Sequence, residues 1–187
     1  DGNTFRIHGG HLDQPGAIKD IMMGLLDDPL NPLNTDTLRA KLIFEEFAPG
    51  DVLTPGPGIN LSTISLNHPN GAIGYRVEYD GRSICYLTDH EHPETGNTEA
   101  LIDFVRGANI VIYDSTYTDE EYPNHIGWGH STWQEGVRLC EAAKAETYVV
   151  FHHDPGHDDD FMDGIARAVD QARPKSVVAR EGLVLRP

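Results

Sequence analysis

The sequence has few basic residues for its size. Among 187 residues it has 14 lysines and arginines against 30 aspartates and glutamates, for a formal net charge of −16 at pH 7. The basic residues are scattered singly along the chain, so no local patch reverses this charge. An acidic surface repels polyanions at long range, and we therefore expect no nucleic-acid partner. A small anionic ligand is not excluded by this argument.

Cysteines and long apolar runs are also scarce. The two cysteines, Cys85 and Cys140, lie within a predicted strand and a predicted helix. Small core thiols in a reducing compartment are more typical of this pattern than a disulfide, so we expect a cytoplasmic protein. No run of about 18 apolar residues is present, which argues against a membrane-spanning helix and a membrane partner. No signal peptide is recognisable.

Hydrophobic periodicity predicts a single α/β domain that spans residues 1–187 and is large enough to bury a core. Strands are predicted at 4–8, 42–47, 59–67, 72–79, 83–87, 110–113, 148–151, 176–179 and 183–185. Helices are predicted at 17–26, after Thr98, from Ser131 or Thr132 to 145, and from 158 to 172. We also predict a loop over 28–34, a helical turn over 35–39 and a tight hairpin at Asp80-Gly81.

Polar side chains stand where several of these elements end or begin. His68 and Asp89 follow the ends of two strands, His152 follows Val149-Val150-Phe151, and His130 precedes a helix. Strand ends of an open α/β sheet collect at one edge, so we expect these four residues to meet there. An unpaired carboxylate emerging from a core strand is costly, and a cation would offset that cost at Asp89. Each residue alone is more often a satisfied polar group, but together they favour a metal site.

Other histidines carry weaker patterns. His90 and His92 flank Glu91 in a loop, for which we predict a solvated surface. His157 precedes Asp158-Asp159-Asp160, a typical acidic helix start, although this histidine could also line a cleft. The segment His8-Gly9-Gly10-His11 has the wrong spacing for a pair of ligands, and a strand end followed by a turn is favoured.

Four segments in this order resemble motifs of the metallo-β-lactamase superfamily. His68, followed by Gly74-Tyr75 and then Tyr86-Leu87-Thr88-Asp89, resembles its third and fourth metal motifs. Val111 to Tyr117 is similar to the next strand of its ribonuclease Z-like and phosphodiesterase branch. In that branch Gly-His-Ser-Thr, here Gly129 to Thr132, precedes the last ligand, whose turn is matched by Phe151 to Pro155. The resemblance covers roughly residues 50–170.

The resemblance implies an αββα sandwich, of which this chain corresponds to the C-terminal half to two-thirds, with the first sheet incomplete. The superfamily's His-x-His-x-Asp-His motif is absent and would precede Asp1. We therefore expect an N-terminally truncated piece of an intact hydrolase; the alternative is a degenerate, non-catalytic binding or assembly module. A truncated sandwich would leave an apolar sheet face bare. We expect a second copy, giving a homo-oligomer such as a dimer, or the missing N-terminal segment to cover it.

The resemblance also implies roles for the candidate residues. His68 would bind a first metal ion, Asp89 would bridge two ions, and His152, in preference to His153, would bind the second. His130 would act as a general acid or charge stabiliser near the leaving-group oxygen. The cofactors would be two divalent metal ions, usually zinc, with manganese or iron as alternatives that the same ligands suit. For this chain alone we expect at most weak metal binding and little activity.

The function implied is metal-dependent hydrolysis of a phosphodiester. We favour a phosphodiesterase whose partner is a small-molecule phosphodiester. The second choice is a tRNA 3′-processing nuclease, which in this family carries a basic arm between the residues equivalent to His68 and Asp89. Here a tight hairpin fills that interval, and the net charge argues in the same direction.

Overall fold

The structure is a computed structural model that describes residues 2–10, 17–26 and 39–187. The chain divides into two compact units, Asp1–Pro49 and Gly50–Pro187. In the first unit, strand β1 (Thr4–Gly9) pairs in parallel with β2 (Lys41–Glu46), and helix α1 covers Ala17–Leu26. These elements match the predicted ones to within a residue at each end. The loop predicted over 28–34 and nearly all of the turn predicted over 35–39 lie outside the described residues.

The second unit contains a seven-stranded sheet, which confirms the predicted α/β class. Its strands follow one another in space in chain order: β3 (Val52–Gly56), β4 (Ile59–Leu66), β5 (Ala72–Tyr79), β6 (Arg82–Leu87), β7 (Ile110–Asp114), β8 (Thr147–Phe151) and β9 (Val177–Val178). Strands β3 to β6 form an antiparallel meander, whereas β6 to β9 run parallel. The hairpin predicted between β5 and β6 is present, with positive φ at both Asp80 and Gly81.

Two predictions about the sheet were wrong. Strand β3 was missed because Thr54-Pro55-Gly56-Pro57 has the composition of a turn; the sheet accepts this proline because β3 is at its edge. The strand predicted at 183–185 is irregular chain. Its leucines, Leu183 and Leu185, instead lie over the sheet beside Ile84 and Tyr86, around a cavity of about 310 Å³. The alternation of apolar residues there reflects contact with a sheet face rather than strand pairing.

Three helices cover the opposite face of this sheet, and each begins at a side chain that accepts a backbone N–H. They are α2 (Glu99–Val105), α3 (Trp133–Ala142) and α4 (Asp159–Ala172), capped by Thr98, Thr132 and Asp158. Thr132 rather than Ser131 is therefore the cap of α3. This helix ends three residues earlier than predicted, before Lys144, whose φ is positive. The buried core between the helices and the sheet includes Leu87, Val111, Tyr113, Leu139, Tyr148 and Val150.

The side of the sheet away from the three helices keeps apolar groups partly exposed, such as Tyr86 and Val77. The covering of this face by a second copy or by an N-terminal segment stays a prediction. Both cysteines are free and buried, as expected. No helix of the described residues is both long and apolar enough to cross a membrane.

The strand directions decide where the candidate residues lie. Strands β4 and β6 are both antiparallel to β5 and so run the same way, and β7 and β8 are parallel to β6. The C-terminal ends of these four strands therefore reach one edge of the sheet. The chain before α3 returns to this edge through a bridge between Tyr117 and Thr132.

Candidate metal centre

The structure brings the four predicted site residues together at that edge. Asp89 Oδ1 lies 3.7 Å from His152 Nε2 and 4.0 Å from His68 Nε2. The centroid of the His130 ring lies 5.9 Å from that of His68 and 5.0 Å from that of His152. One group of possible metal ligands consists of His68, Asp89 and His130. Each residue offers one ligand atom, and these three atoms lie within 4.8 Å of one another.

The backbone is unusual at two of these residues. Asp89 and His152 follow β6 and β8 closely, and both have left-handed conformations, with φ of 60° and 62°. This conformation costs a residue other than glycine of order 1–3 kcal/mol, and such residues concentrate at functional sites. Here it turns each side chain out of the strand direction and toward the other.

His153, the neighbour of His152, faces away from this group. Its Nε2 lies 3.2 Å from the carbonyl oxygen of Ala179, and burial lowers the pKa of its imidazole. Of the two adjacent histidines, His152 is therefore the one directed toward Asp89.

Gly129 allows His68 and His130 to approach each other. A Cβ at this position would lie 2.3 Å from Cδ2 of His68 and 2.8 Å from Cδ of Pro69, and the residue has φ of 89°. Only glycine accepts both this conformation and this contact. The glycine of the Gly-His-Ser-Thr segment is therefore required by packing against a candidate ligand.

Asp114 is a central residue of the site to which the sequence assigned no role. It is fully buried at the end of β7, and its Oδ2 accepts a hydrogen bond from His130 Nδ1 at 2.9 Å. The backbone N–H of His90 donates to the same oxygen, and Nδ1 of His152 lies 3.6 Å from it. The other oxygen, Oδ1, accepts hydrogen bonds from Thr116 and Ser131. The pattern that singled out Asp89, a carboxylate at the end of an apolar strand, applies equally to Asp114.

Asp114 controls the charge of His130. The hydrogen bond from His130 to the carboxylate is the main reason why the pKa of the imidazole is raised above 6.5, while partial burial opposes this effect. Because Nδ1 donates to Asp114, Nε2 is the nitrogen that remains available to a substrate or a metal ion. The pair therefore resembles an oriented acid rather than an isolated ligand.

The donor set fits a divalent cation such as zinc. The separations of 3.7 and 4.0 Å around Asp89 are too long for hydrogen bonds. Two ligand atoms of a tetrahedral zinc ion, each about 2.1 Å from it, lie about 3.4 Å apart, so shifts of a few tenths of an ångström would complete the coordination. A second group, formed by Asp114, His130 and His152, lies next to the first.

The segment from His90 to His92 is buried, so the prediction of a solvated surface was wrong. All three side chains are less than one-tenth exposed. His90 Nδ1 accepts from the backbone N–H of Asn67, and burial lowers the pKa of His90 to about 4. His92 hydrogen bonds to Ser131. Glu91 accepts the backbone N–H groups of two residues of a later loop, which buries the segment.

His157 belongs to neither of the two groups of possible metal ligands. It is partly buried; its Nε2 lies 2.9 Å from Glu121 Oε1, and with His153 it lines a cavity of about 730 Å³. Both interpretations of this segment are therefore confirmed: His157 lines a cleft, and the helix begins after Asp158, which caps it. His8 faces Glu45 within the first unit, and His11 lies outside the described residues.

Comparisons with known protein families and sequences identify what this chain is similar to. The family model described as a beta-lactamase superfamily domain matches residues 24–153. A ribonuclease Z of Myxococcus xanthus is 26% identical, over 98% of this chain and 73% of the relative. A ribonuclease Z of Halalkalibacterium halodurans is 25% identical, over 83% of this chain and 47% of the relative. The chain thus spans about half the length of one relative and about three-quarters of the other.

Solved structures share the fold at low sequence identity. The metallo-beta-lactamase fold protein YhfI of Bacillus subtilis has a TM-score of 0.69 at 15% identity, covering 96% of this chain and 64% of that one. Zinc-bound PqqB of Methylobacterium extorquens has a TM-score of 0.68 at 18% identity, covering 98% and 65%. A diphosphatase from the PhnP family has a TM-score of 0.62 at 16% identity, covering 97% and 59%.

Proposed function

Because the chain belongs to the metallo-β-lactamase superfamily, a family of hydrolases, we propose that it forms the catalytic part of a metal-dependent phosphodiesterase that acts on a small phosphodiester. The observation that carries the proposal is the pairing of His130 with buried Asp114 beside Asp89, whose Oδ1 lies within 4.0 Å of a ring nitrogen of both His68 and His152. This arrangement combines metal ligands with an oriented proton donor, the two elements that hydrolysis of a diester needs.

The residues of the site would have distinct roles in the reaction. His68, Asp89 and His152 would hold the divalent ions, with zinc proposed and manganese or iron as alternatives. When bound, such ions lower the pKa of a water molecule and neutralise charge on phosphoryl oxygens. Asp114 holds His130 through Nδ1 and keeps its pKa raised, so that Nε2 can carry a proton toward the departing alkoxide. General acid catalysis of this kind contributes about 10²–10⁴-fold.

The charge of the chain supports a small substrate. With a net charge of −16, long-range electrostatics oppose the approach of an RNA far more than that of a diester with one negative charge. The second candidate is a tRNA 3′-processing nuclease, which the names of the two ribonuclease Z relatives favour.

Hydrolysis of bis-p-nitrophenyl phosphate with added zinc or manganese tests the proposal. Both this chain and the complete product of the gene that encodes it should be assayed. We expect little activity from this chain alone. The complete product should show activity that is lost with EDTA and that His130→Ala lowers by roughly 10²–10⁴-fold. Asp170→Asn, which changes an exposed acid on α4, is the control that should keep its activity.

Three outcomes would reject the proposal. Turnover of nitrocefin without the diester would indicate a lactamase, and faster cleavage of a tRNA precursor than of the diester would favour the nuclease. Inactivity of both proteins toward all three substrates would leave a non-catalytic binding module.

A further inference from the structure

An exposed tryptophan lies next to the candidate centre. Trp128 exposes 62% of its surface although it is only two residues before His130. Consecutive Cα atoms are about 3.8 Å apart, so the Cα atoms of these two residues can be separated by no more than about 7.6 Å. A single exposed apolar side chain is common on protein surfaces, but this one stands beside the proposed acid and is therefore a candidate contact for a ligand.

The loop that carries Trp128 is held in place. Oε1 of buried Glu91 accepts the backbone N–H of Gly127 at 2.7 Å, and its Oε2 accepts that of Gly129 at 2.8 Å. The backbone N–H of Trp128 itself donates to the carbonyl oxygen of His125. The residues on both sides of Trp128 are thus tied to one carboxylate, so its indole is presented on an ordered support.

A set of stacked rings fixes the orientation of the indole. His125 stacks on buried Tyr117, with centroids 4.1 Å apart and planes at 15°. Trp128 meets His125 edge to face, at 5.1 Å and 86°. Tyr117 in turn meets His130 edge to face at 6.3 Å. The indole therefore belongs to the same packed group as the proposed acid, while most of its surface remains open.

The charge of the loop that carries Trp128 limits which ligands this loop can bind. The segment from Thr118 to His130 contains no lysine or arginine and includes Asp119, Glu120 and Glu121. This segment offers no cation to a phosphate, so contact with a neutral aromatic group is the interaction that it can supply. Stacking on an aromatic ring suits any base, because every base has a π-face.

We propose that Trp128 is a stacking platform for the aromatic base of the diester, so that the substrate class is a nucleotide rather than an alkyl phosphodiester. This inference rests on the function proposed above. The phosphate would lie at the metal cluster and the sugar would span the distance from there to the indole. The base would cover the open face of the ring.

Binding of adenosine 5′-monophosphate compared with ribose 5-phosphate tests the platform without requiring turnover. Both ligands carry the same sugar and phosphate, and only the first has a base. With zinc present, calorimetry should show tighter binding of the nucleotide by about tenfold or more, the size expected for one base stacked on one aromatic ring. Trp128→Ala should remove this preference while leaving the affinity for ribose 5-phosphate unchanged, and Trp128→Phe should retain part of it.

Ile126→Ala is the matched control, because Ile126 is an apolar residue of the same loop with a similar exposure of 56%. It should keep the full preference. Equal affinity for the two ligands, or a preference that survives Trp128→Ala, would overturn the inference. Diester hydrolysis without any base preference would overturn the platform alone, whereas a base preference in a protein that hydrolyses no diester would overturn the proposed function alone.

Discussion

Replacing Asp114 by asparagine isolates the contribution of one buried charge. The side chain is fully buried, and its two oxygens accept five hydrogen bonds. Oδ1 accepts from Thr116 N at 3.2 Å, Thr116 Oγ1 at 2.7 Å and Ser131 N at 3.3 Å. Oδ2 accepts from His90 N at 3.1 Å and His130 Nδ1 at 2.9 Å. Asparagine keeps the shape but turns one acceptor into a donor.

The hydrogen-bond donors around position 114 determine the orientation of the asparagine side-chain amide. An NH₂ group in place of Oδ1 would face three donors, whereas in place of Oδ2 it would face one backbone donor and an imidazole. His130 can adapt, because a neutral imidazole accepts through Nδ1 when its proton is on Nε2. One buried donor, the N–H of His90, then remains unsatisfied. This costs about 1–3 kcal/mol, so the folded state should survive with a reduced free energy of unfolding.

The change in His130 is the larger functional effect. The hydrogen bond to the Asp114 carboxylate raises the pKa of His130, so its loss should move that pKa back toward the ordinary value of 6.5. A general acid works in its protonated form, which exists below its pKa. The alkaline limb of the kcat profile should therefore move to lower pH. We expect kcat to fall, by at most the roughly 10²–10⁴-fold that general acid catalysis supplies.

Two measurements check this reasoning. Diester hydrolysis should be followed from pH 5 to 10, and the imidazole of His130 should be titrated by NMR in the metal-free protein, which needs no activity. Asp170→Asn is the control for the loss of one negative charge. A wild-type alkaline limb and an unchanged imidazole titration in Asp114→Asn would refute the assigned role of the carboxylate.

Three further changes test the support around the site. Glu91→Gln places an amide NH₂ group against the backbone N–H of Gly127 or Gly129. Amide hydrogen exchange at these two glycines should become faster, and the free energy of unfolding should fall by about 1–3 kcal/mol. Unchanged exchange would contradict the proposed role of the Glu91 carboxylate in holding this loop. Gly129→Ala puts a Cβ 2.3 Å from a ring atom of His68, so calorimetry should show weaker zinc binding. Gly127→Ala is the control, because Gly127 also has a positive φ but a Cβ there meets nothing within 4 Å; this variant should retain zinc binding. Burial lowers the pKa of His90 to about 4, below the ordinary 6.5, so the unfolded chain takes up a proton first as the pH falls. The free energy of unfolding of the metal-free protein, measured by urea titration, should therefore fall by up to roughly 3 kcal/mol as the pH is lowered from 6.5 to about 4. His90→Asn should remove this contribution.

Local features of the sequence determined most of the elements. The helices begin where a threonine or aspartate can accept a backbone N–H, and β5 and β6 meet at Asp80-Gly81, because these preferences act between residues close in the chain. Strand order and strand end were enough to place His68, Asp89 and His152 at one edge. Two segments of the sheet region were misread: at 52–56 a turn-like composition belongs to an edge strand, and at 183–185 the alternation reflects contact with a sheet face.

The tertiary structure alone decided how the site is supported. Glu91 and His90 lie in a polar loop, and no local pattern shows that a segment almost 40 positions later, ending at Gly129, closes over them. The hydrogen bond between Asp114 and His130 likewise depends on which way a side chain points after its strand ends. Periodicity indicates that a residue leaves the core, but only contacts between distant parts of the chain determine what it then meets.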